Sequence, residues 1–153
     1  MVELVLPNDA NTLGNVLGGR VLHWIDLAAA IVAHRHCRTE TVTVSLDQMS
    51  FLAPIKVGQL AVIAARMTYT GRTSMEIRVD VEAEDLMTGE RKQTSTAYLT
   101  FVAIDKQGRP APVPPLALET DEDRREWREA EARRAARLKA RPQTPPKRES
   151  IHQ

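Results

Sequence analysis

The sequence predicts an α+β fold in which a curved antiparallel sheet wraps round one long central helix, with a charged helix attached after it. Three observations predict it. One apolar, alanine-rich segment near the start repeats with a helical period, placing Leu17, Val21, Trp24, Ile25, Ala28 and Val32 on one face. From Thr41 onward the period changes to two and persists through four stretches separated by turn formers, as half-buried antiparallel strands require. Beyond these, Pro110, Pro112, Pro114 and Pro115 interrupt any regular element, and a densely charged run comes after them.

In chain order, residues 2–6 form a short apolar run closed by Pro7, which suits a strand. Asn, Asp and Gly crowd positions 8–19; they hold turns through their own backbone or by adopting positive φ, so a structured loop is expected there. Gly18 and Gly19 fall where the helix begins. Uncapped N–H groups with no side chain over them would then point outward at the positive end of the helix dipole. The helix is expected over residues 17–36, and the basic residues of His34-Arg35-His36-Cys37-Arg38 oppose the negative end of its dipole. Two histidines and a cysteine there do not make a metal site, because no second Cys/His cluster completes four ligands.

Among the strands, Val42, Val44 and Leu46 alternate with Thr43 and Ser45, whereas Met49, Phe51 and Ala53 take the opposite parity; a bulge or bend near residues 47–48 would account for the shift. Pro54 and the Lys56-Val57-Gly58 turn end this stretch. Residues 59–70 form the next, with Ala61, Ile63, Ala65, Met67 and Tyr69 on one side, and Gly71-Arg72 turns the chain. Met75, Ile77, Val79, Val81 and Ala83 then alternate with Glu76, Arg78, Asp80, Glu82 and Glu84, one face core and the other wet. In the last strand, residues 91–105, Leu99, Phe101 and Ala103 point inward; Tyr98, Val102 and Ile104 opposite them suggest a subunit contact.

Three segments are expected: 1–116 as the folded domain, 117–141 as a charged helix and 142–153 as a disordered tail. Thr120-Asp121-Glu122-Asp123 reads as a capping box. Residues 119–131 hold seven acids and three bases, and residues 132–148 seven bases and no acid, a polarity that matches the helix dipole. A solvated helix supported by pairs such as Asp121–Arg125 and Glu129–Arg133, each contributing about 0.3 kcal/mol, satisfies this pattern.

Composition removes several function classes. A net charge of +1 and 4% aromatic residues argue against nucleic-acid binding, since neither a basic surface nor stacking platforms are prominent. No run reaches the roughly 18 apolar residues of a membrane span, the start lacks the pattern of a secretory leader, and one cysteine allows no intrachain disulfide; a soluble cytoplasmic protein is expected. The residue that calls for explanation is Asp26. Its helical neighbours are Leu22, Ala29, Ala30 and Ala33, with His23 three residues before it, so no Lys or Arg on the helix is placed to pair with it. Either it is a solvated or capping acid, or it is a base or nucleophile in a cleft. The alanines suit a substrate tunnel and close helix–sheet packing equally.

Pro7, Asn11, Gly14, Gly18, Gly19 and Asp26, with Ser50-Phe51-Leu52-Ala53-Pro54-Ile55-Lys56-Val57-Gly58 and Tyr69-Thr70-Gly71-Arg72-Thr73-Ser74 after them, resemble three successive motifs of the hotdog-fold acyl-CoA thioesterases, in the branch of the bacterial and brain-type acyl-CoA hydrolases. The resemblance implies acyl-CoA hydrolysis, with coenzyme A as part of substrate and product, no other cofactor and no metal. It implies that Asp26 is the catalytic carboxylate, that Asn11 works with it from the partner subunit, and that the helix-start glycines Gly18 and Gly19 supply an oxyanion hole, chiefly through the Gly19 N–H. It places Arg72, Thr73 and Ser74 beside the coenzyme, with Arg72, and secondarily Lys56, facing a phosphate. With a single copy of the fold in this chain, it also implies a homodimer, commonly gathered as a trimer of dimers. Leu17 stands where some relatives have His. Two other readings remain: a hydroxyacyl-thioester dehydratase using His23 with Asp26, and a non-catalytic acyl-CoA sensor.

Overall fold

The computed structural model describes residues 1–47 and 49–141. The expected tail, residues 142–153, and Gln48 lie outside the described residues. Strand β1 (Val2–Leu4) leads through a single 3-10 turn, Pro7–Asp9, and a loop to helix α1 (Gly18–Cys37). Strands β2 (Glu40–Leu46), β3 (Leu60–Thr70), β4 (Ser74–Glu84) and β5 (Arg91–Ile104) come next, and helix α2 (Asp121–Ala140) closes the series. All strand pairs are antiparallel, in the order β1-β3-β4-β5-β2, so β1 and β2 are the edges. This is the expected hotdog arrangement, with α1 in the concave face of the sheet.

Alanine content explains how closely α1 lies on the sheet. Ile25, Ala29 and Ala33 are fully buried, joined by Val21, Trp24 and Ala28, and they pack on Ile63, Ile77, Val79, Leu99 and Phe101. The small residues therefore serve helix–sheet contact. Leu17, expected on the buried face, is exposed because it is the extended residue just before the helix. The helix ends at Arg38, held in a left-handed conformation at φ 53° with its N–H on the His34 carbonyl at 2.8 Å.

Two parity expectations are corrected. The bulge in β2 lies between Thr43 and Ser45, and the strand ends at Leu46. Met49, Phe51 and Ala53 change parity because the chain has left the sheet, touching it again where the Leu52 N–H meets the Thr94 carbonyl at 2.8 Å. In β3 a register shift between Met67 and Tyr69 rotates Tyr69 to the outer face, opposite Glu76, where its ring lies 4.5 Å from that of Trp127.

That contact belongs to the largest departure from expectation: α2 is docked on the convex face of the sheet. Glu126, 5% exposed, receives Arg66 and Arg78 from the strands. Glu76, 1% exposed, receives Arg133 Nη2 at 2.8 Å and Arg137 Nη1 at 3.1 Å from the helix, and the Thr68 hydroxyl at 2.8 Å. Arg133 also covers the Tyr98 ring at 3.8 Å, so a residue expected at a subunit contact is half-buried by its own chain's helix. The pair expected between Glu129 and Arg133 is replaced by Arg125 with Glu129, and Asp121 pairs with Arg124 in place of Arg125. The capping box forms: Thr120 Oγ1 accepts the Asp123 N–H at 3.0 Å and the Asp123 carboxylate accepts the Thr120 N–H at 2.9 Å.

The Arg66 guanidinium beside Glu126 holds its carboxyl below the usual glutamate value of 4.5, against the opposing pull of burial. A lowered folded value means that this contribution to stability is complete above the ordinary glutamate range and is lost as pH falls through the folded value. Docking of α2, monitored through Trp127 fluorescence in a Trp24→Phe background, should hold from neutral pH to about pH 4.5 and weaken only below it. Release already under way at pH 6 would contradict this.

Candidate active site

The loop before α1 is built round two side chains. Asp9, buried, accepts the Leu6 N–H at 3.1 Å and Arg20 Nε at 2.9 Å, while its carbonyl accepts the Leu17 N–H at 2.8 Å. It thereby ties the end of the first strand to the start of the helix, a role hidden in the sequence because Asp9 reads as one more turn former. Asn11 Oδ1 accepts the N–H groups of Leu13 and Asn15 at 3.0 and 3.2 Å. Gly14 completes that turn at φ 76°, its N–H on the Asn11 carbonyl at 3.0 Å. The Asn11 carboxamide oxygen is thus spent within its own loop, and its NH2 remains to donate.

At the start of α1 the first N–H groups consumed are those of Arg20 and Val21, both on the Leu17 carbonyl at 2.9 and 3.2 Å. Those of Gly18 and Gly19 come before them, at the positive pole of a 20-residue helix. A methyl built on Gly19 would meet no atom within 4 Å, and one on Gly18 would touch the Phe51 ring at 3.5 Å. Beside them opens a largely apolar cleft of about 350 Å³ lined by Val16, Gly18, Val21, Phe51 and Ile55 among others.

Asp26 lies seven residues beyond Gly19 on the same helix. It is exposed in the single chain, and its Oδ1 accepts the Thr43 hydroxyl of β2 at 2.8 Å. Among the described residues it forms no ion pair, and His23 makes no hydrogen bond to it. The helix surface round it is apolar and open, with Leu22, Leu27 at 43% exposure and Ile31 all exposed on α1. At 1.5 Å rise per residue, Asp26 and its own Gly19 stand about 10 Å apart along the axis. One protomer therefore does not bring Asp26, Gly19 and Asn11 onto one reacting carbonyl.

The other expected residues fall into two places. Lys56 is exposed and sits on the Asn11 loop, where Asn15 bridges to it. Arg72, Thr73 and Ser74 form the turn between β3 and β4, closed by the Gly71 N–H on the Ser74 carbonyl at 2.8 Å and fastened by the Val113 N–H on the Arg72 carbonyl at 2.9 Å. That end of the molecule adjoins the C-terminal end of α1, where His36 Nε2 bonds the Pro114 carbonyl at 2.6 Å. Thr43 does not stand out in the sequence, since a threonine in a strand is ordinary. In the sequence it is one of the polar residues that alternate with Val42 and Val44.

The thioesterase superfamily matches residues 13–90. An acyl-CoA thioester hydrolase of Bacillus subtilis, YkhA, is 45% identical over 119 residues, covering 78% of this chain and 69% of that protein. Among solved structures, a hexameric acyl-CoA thioesterase superposes with TM-score 0.87 at 42% identity, over 91% of this chain and 89% of that one. The acyl-CoA hydrolase of Staphylococcus aureus, solved with butyryl coenzyme A and coenzyme A, superposes with TM-score 0.81 at 33% identity, over 92% and 88%; further structures of that enzyme carry alanine in place of one Asp, one Asn or one Thr. None of the helices described is long and apolar enough to cross a membrane. By sequence and by fold together, the chain belongs to the thioesterase superfamily and, within it, to the hotdog-fold acyl-CoA thioesterases.

Proposed function

We propose that the chain hydrolyses acyl-CoA thioesters to a carboxylic acid and coenzyme A at a site shared between two copies, with Asp26 driving the cleavage. The observation that carries this reading is the Thr43–Asp26 hydrogen bond on an otherwise apolar, uncovered face. In the Staphylococcus aureus enzyme the altered Asn precedes the altered Asp by fifteen residues and the altered Thr lies seventeen beyond it, which are the separations of Asn11, Asp26 and Thr43 here.

In this site the thioester carbonyl oxygen lies against the Gly19 N–H of one protomer, with Gly18 beside it, so that charge gathering on the oxygen meets the positive end of α1. Asp26 of the other protomer takes a proton from water, which attacks the carbonyl carbon, or attacks that carbon itself to form an anhydride that water then opens. Either way the carbon–sulfur bond breaks, a carbon–oxygen bond replaces it, and the thiol leaves with a proton. Asn11, its oxygen engaged in the loop, donates through its NH2 to the water or the thioester. Arg72, Thr73, Ser74 and Lys56 attend the coenzyme. The chemistry draws on water and the substrate's own coenzyme. Pairing through the open β2 edge covers Val42, Val44 and the apolar face of α1, and three such dimers make the hexamer. We place the enzyme in the cytoplasm.

Thiol release from a panel of acyl-CoAs tests the function: a thioesterase liberates coenzyme A, a dehydratase changes only enoyl absorbance, and a sensor does neither. Thr43→Val should lower turnover about tenfold with the oligomer unchanged, because Asp26 loses the donor that fixes its rotamer. Wild-type turnover in that variant would show that the hydroxyl has no part in positioning the acid.

A further inference from the structure

The apolar cleft of about 350 Å³ at the start of α1 lies near the lower end of the size of ligand pockets, and Gly18, one residue from the Gly19 N–H, is part of its wall. Its most deeply buried residues, Val21, Ile55 and Thr94, are each 2% exposed. Much of the polar capacity of the wall is already spent. Thr94 Oγ1 donates to the Val81 carbonyl at 3.0 Å, and the Thr94 carbonyl accepts the Leu52 N–H at 2.8 Å. The Val16 N–H meets the Ile55 carbonyl at 2.8 Å, and the Asn15 carbonyl accepts the Asn11 N–H at 2.8 Å. Among the described residues no charged side chain lines the cleft, and its one carboxamide, Asn15, is half-buried. Phe51 stands out for the opposite reason. Its ring is 53% exposed, belongs to no strand or helix, and lies 3.5 Å from a methyl built on Gly18. Cover by a second copy accounts for an exposed ring; it does not account for a hollow walled by apolar groups beside it.

We propose that this cleft takes the hydrocarbon chain of a medium-length acyl group, and that Phe51 and Ala53 set the length of chain the enzyme prefers. A thioester has two arms, and the cleft discriminates between them. The coenzyme's arm carries amides, which lose their hydrogen bonds to water where the polar groups of the wall are already paired; a hydrocarbon chain has none to lose. Each methylene moved from water into the cleft strengthens binding about fourfold. With the carbonyl oxygen at the Gly19 N–H, the first carbons of the chain pass the Phe51 ring beside Gly18, and Ala53, small and half-buried, leaves room for those that follow. The modest volume ends the gain before long chains are accommodated. This inference rests on the reading of the chain as an acyl-CoA hydrolase with Gly19 at the thioester, and it names the part of the substrate on which selectivity acts.

The test compares octanoyl-CoA with acetyl-CoA on the full chain and on its Phe51→Ala and Ala53→Phe variants. In the parent, kcat/KM should be at least about tenfold higher for octanoyl-CoA. Phe51→Ala removes the ring beside the chain and Ala53→Phe fills the cleft, so each should lower the octanoyl-to-acetyl ratio about tenfold. Because Phe51 is exposed, its variant keeps the packed core and decides the matter even if Ala53→Phe folds poorly. Met87→Ala, which removes a side chain 93% exposed and outside the cleft, should keep the parent's ratio. A ratio unchanged in both cleft variants overturns the proposal, and so does an equal fall for the two substrates, which would put the coenzyme's arm in the cleft. Binding is read separately by calorimetric titration with S-octyl-coenzyme A and S-ethyl-coenzyme A, thioethers that cannot be hydrolysed. Tighter binding of the octyl thioether by the parent, lost in the cleft variants, supports the site; equal binding of the two by the parent overturns it. Should the parent release no thiol, the hydrolytic reading fails while the thioethers still decide the cleft.

Discussion

Asp26→Asn should reduce acyl-CoA hydrolysis by about two to four orders of magnitude, the range over which a positioned acid or base acts. The substitution is chosen because it changes chemistry and little else. Asparagine has the shape of aspartate, and its carbonyl oxygen can still accept the Thr43 hydroxyl that now lies 2.8 Å from Asp26 Oδ1. The residue is exposed on α1 in the single chain and makes no ion pair among the described residues, so an isosteric change there adds little cost to the fold. The capacity to take a proton or to form an anhydride disappears. KM should move little, because the loss falls on the transition state. Thiol release under saturating acyl-CoA, with the assembly checked by light scattering, decides the matter. Turnover within a few fold of the parent would remove Asp26 from the mechanism.

The second large effect is on stability. Glu76→Ala should destabilise the protein by about 3 kcal/mol, toward the lower end of the cost of removing one partner from a buried ion pair. Glu76 is 1% exposed and accepts Arg133 Nη2 at 2.8 Å, Arg137 Nη1 at 3.1 Å and the Thr68 hydroxyl at 2.8 Å, so its loss leaves Arg133 without its partner beneath α2 and Arg137 with Asp47 alone. The arginine side chains keep 24% and 22% of their exposure and can turn partly toward water, which limits the penalty. Urea titrations at one protein concentration, since assembly contributes to stability, should show a lower midpoint. A change below about 1 kcal/mol would mean that the helix is held by Tyr69, Trp127 and the Tyr98–Arg133 stack and not by its ion pairs.

Legibility varies along the chain for physical reasons. The central helix and the strand from Met75 to Ala83 are plain because a single period runs uninterrupted through each. The pattern misplaces Tyr69 because a bulge shifts parity without leaving a compositional mark. The seat of α2 is hidden for a subtler reason: acids and bases three and four apart look the same whether they pair with one another or reach across to Arg66 and Glu76. Within the site, Gly18, Gly19, Asn11 and Asp26 stand out because turn formers and a lone acid violate local pattern. Thr43 violates nothing, and only its 2.8 Å approach to Asp26 marks it. The separation of Asp26 from Gly19 is available from helix geometry alone, and it is the reason the proposed site draws on a second copy.

The two flanks of the sheet are unequal, and this sets a limit on growth. One flank offers the seven residues of β2, with Val44 bare at its bulge; the other offers the three residues of β1. A long unpaired strand invites another, and a sheet with two such borders polymerises. With only one, two molecules that meet there present nothing further to recruit a third in the same direction, so the adhesive border that would endanger a lone chain becomes self-extinguishing once it has been used.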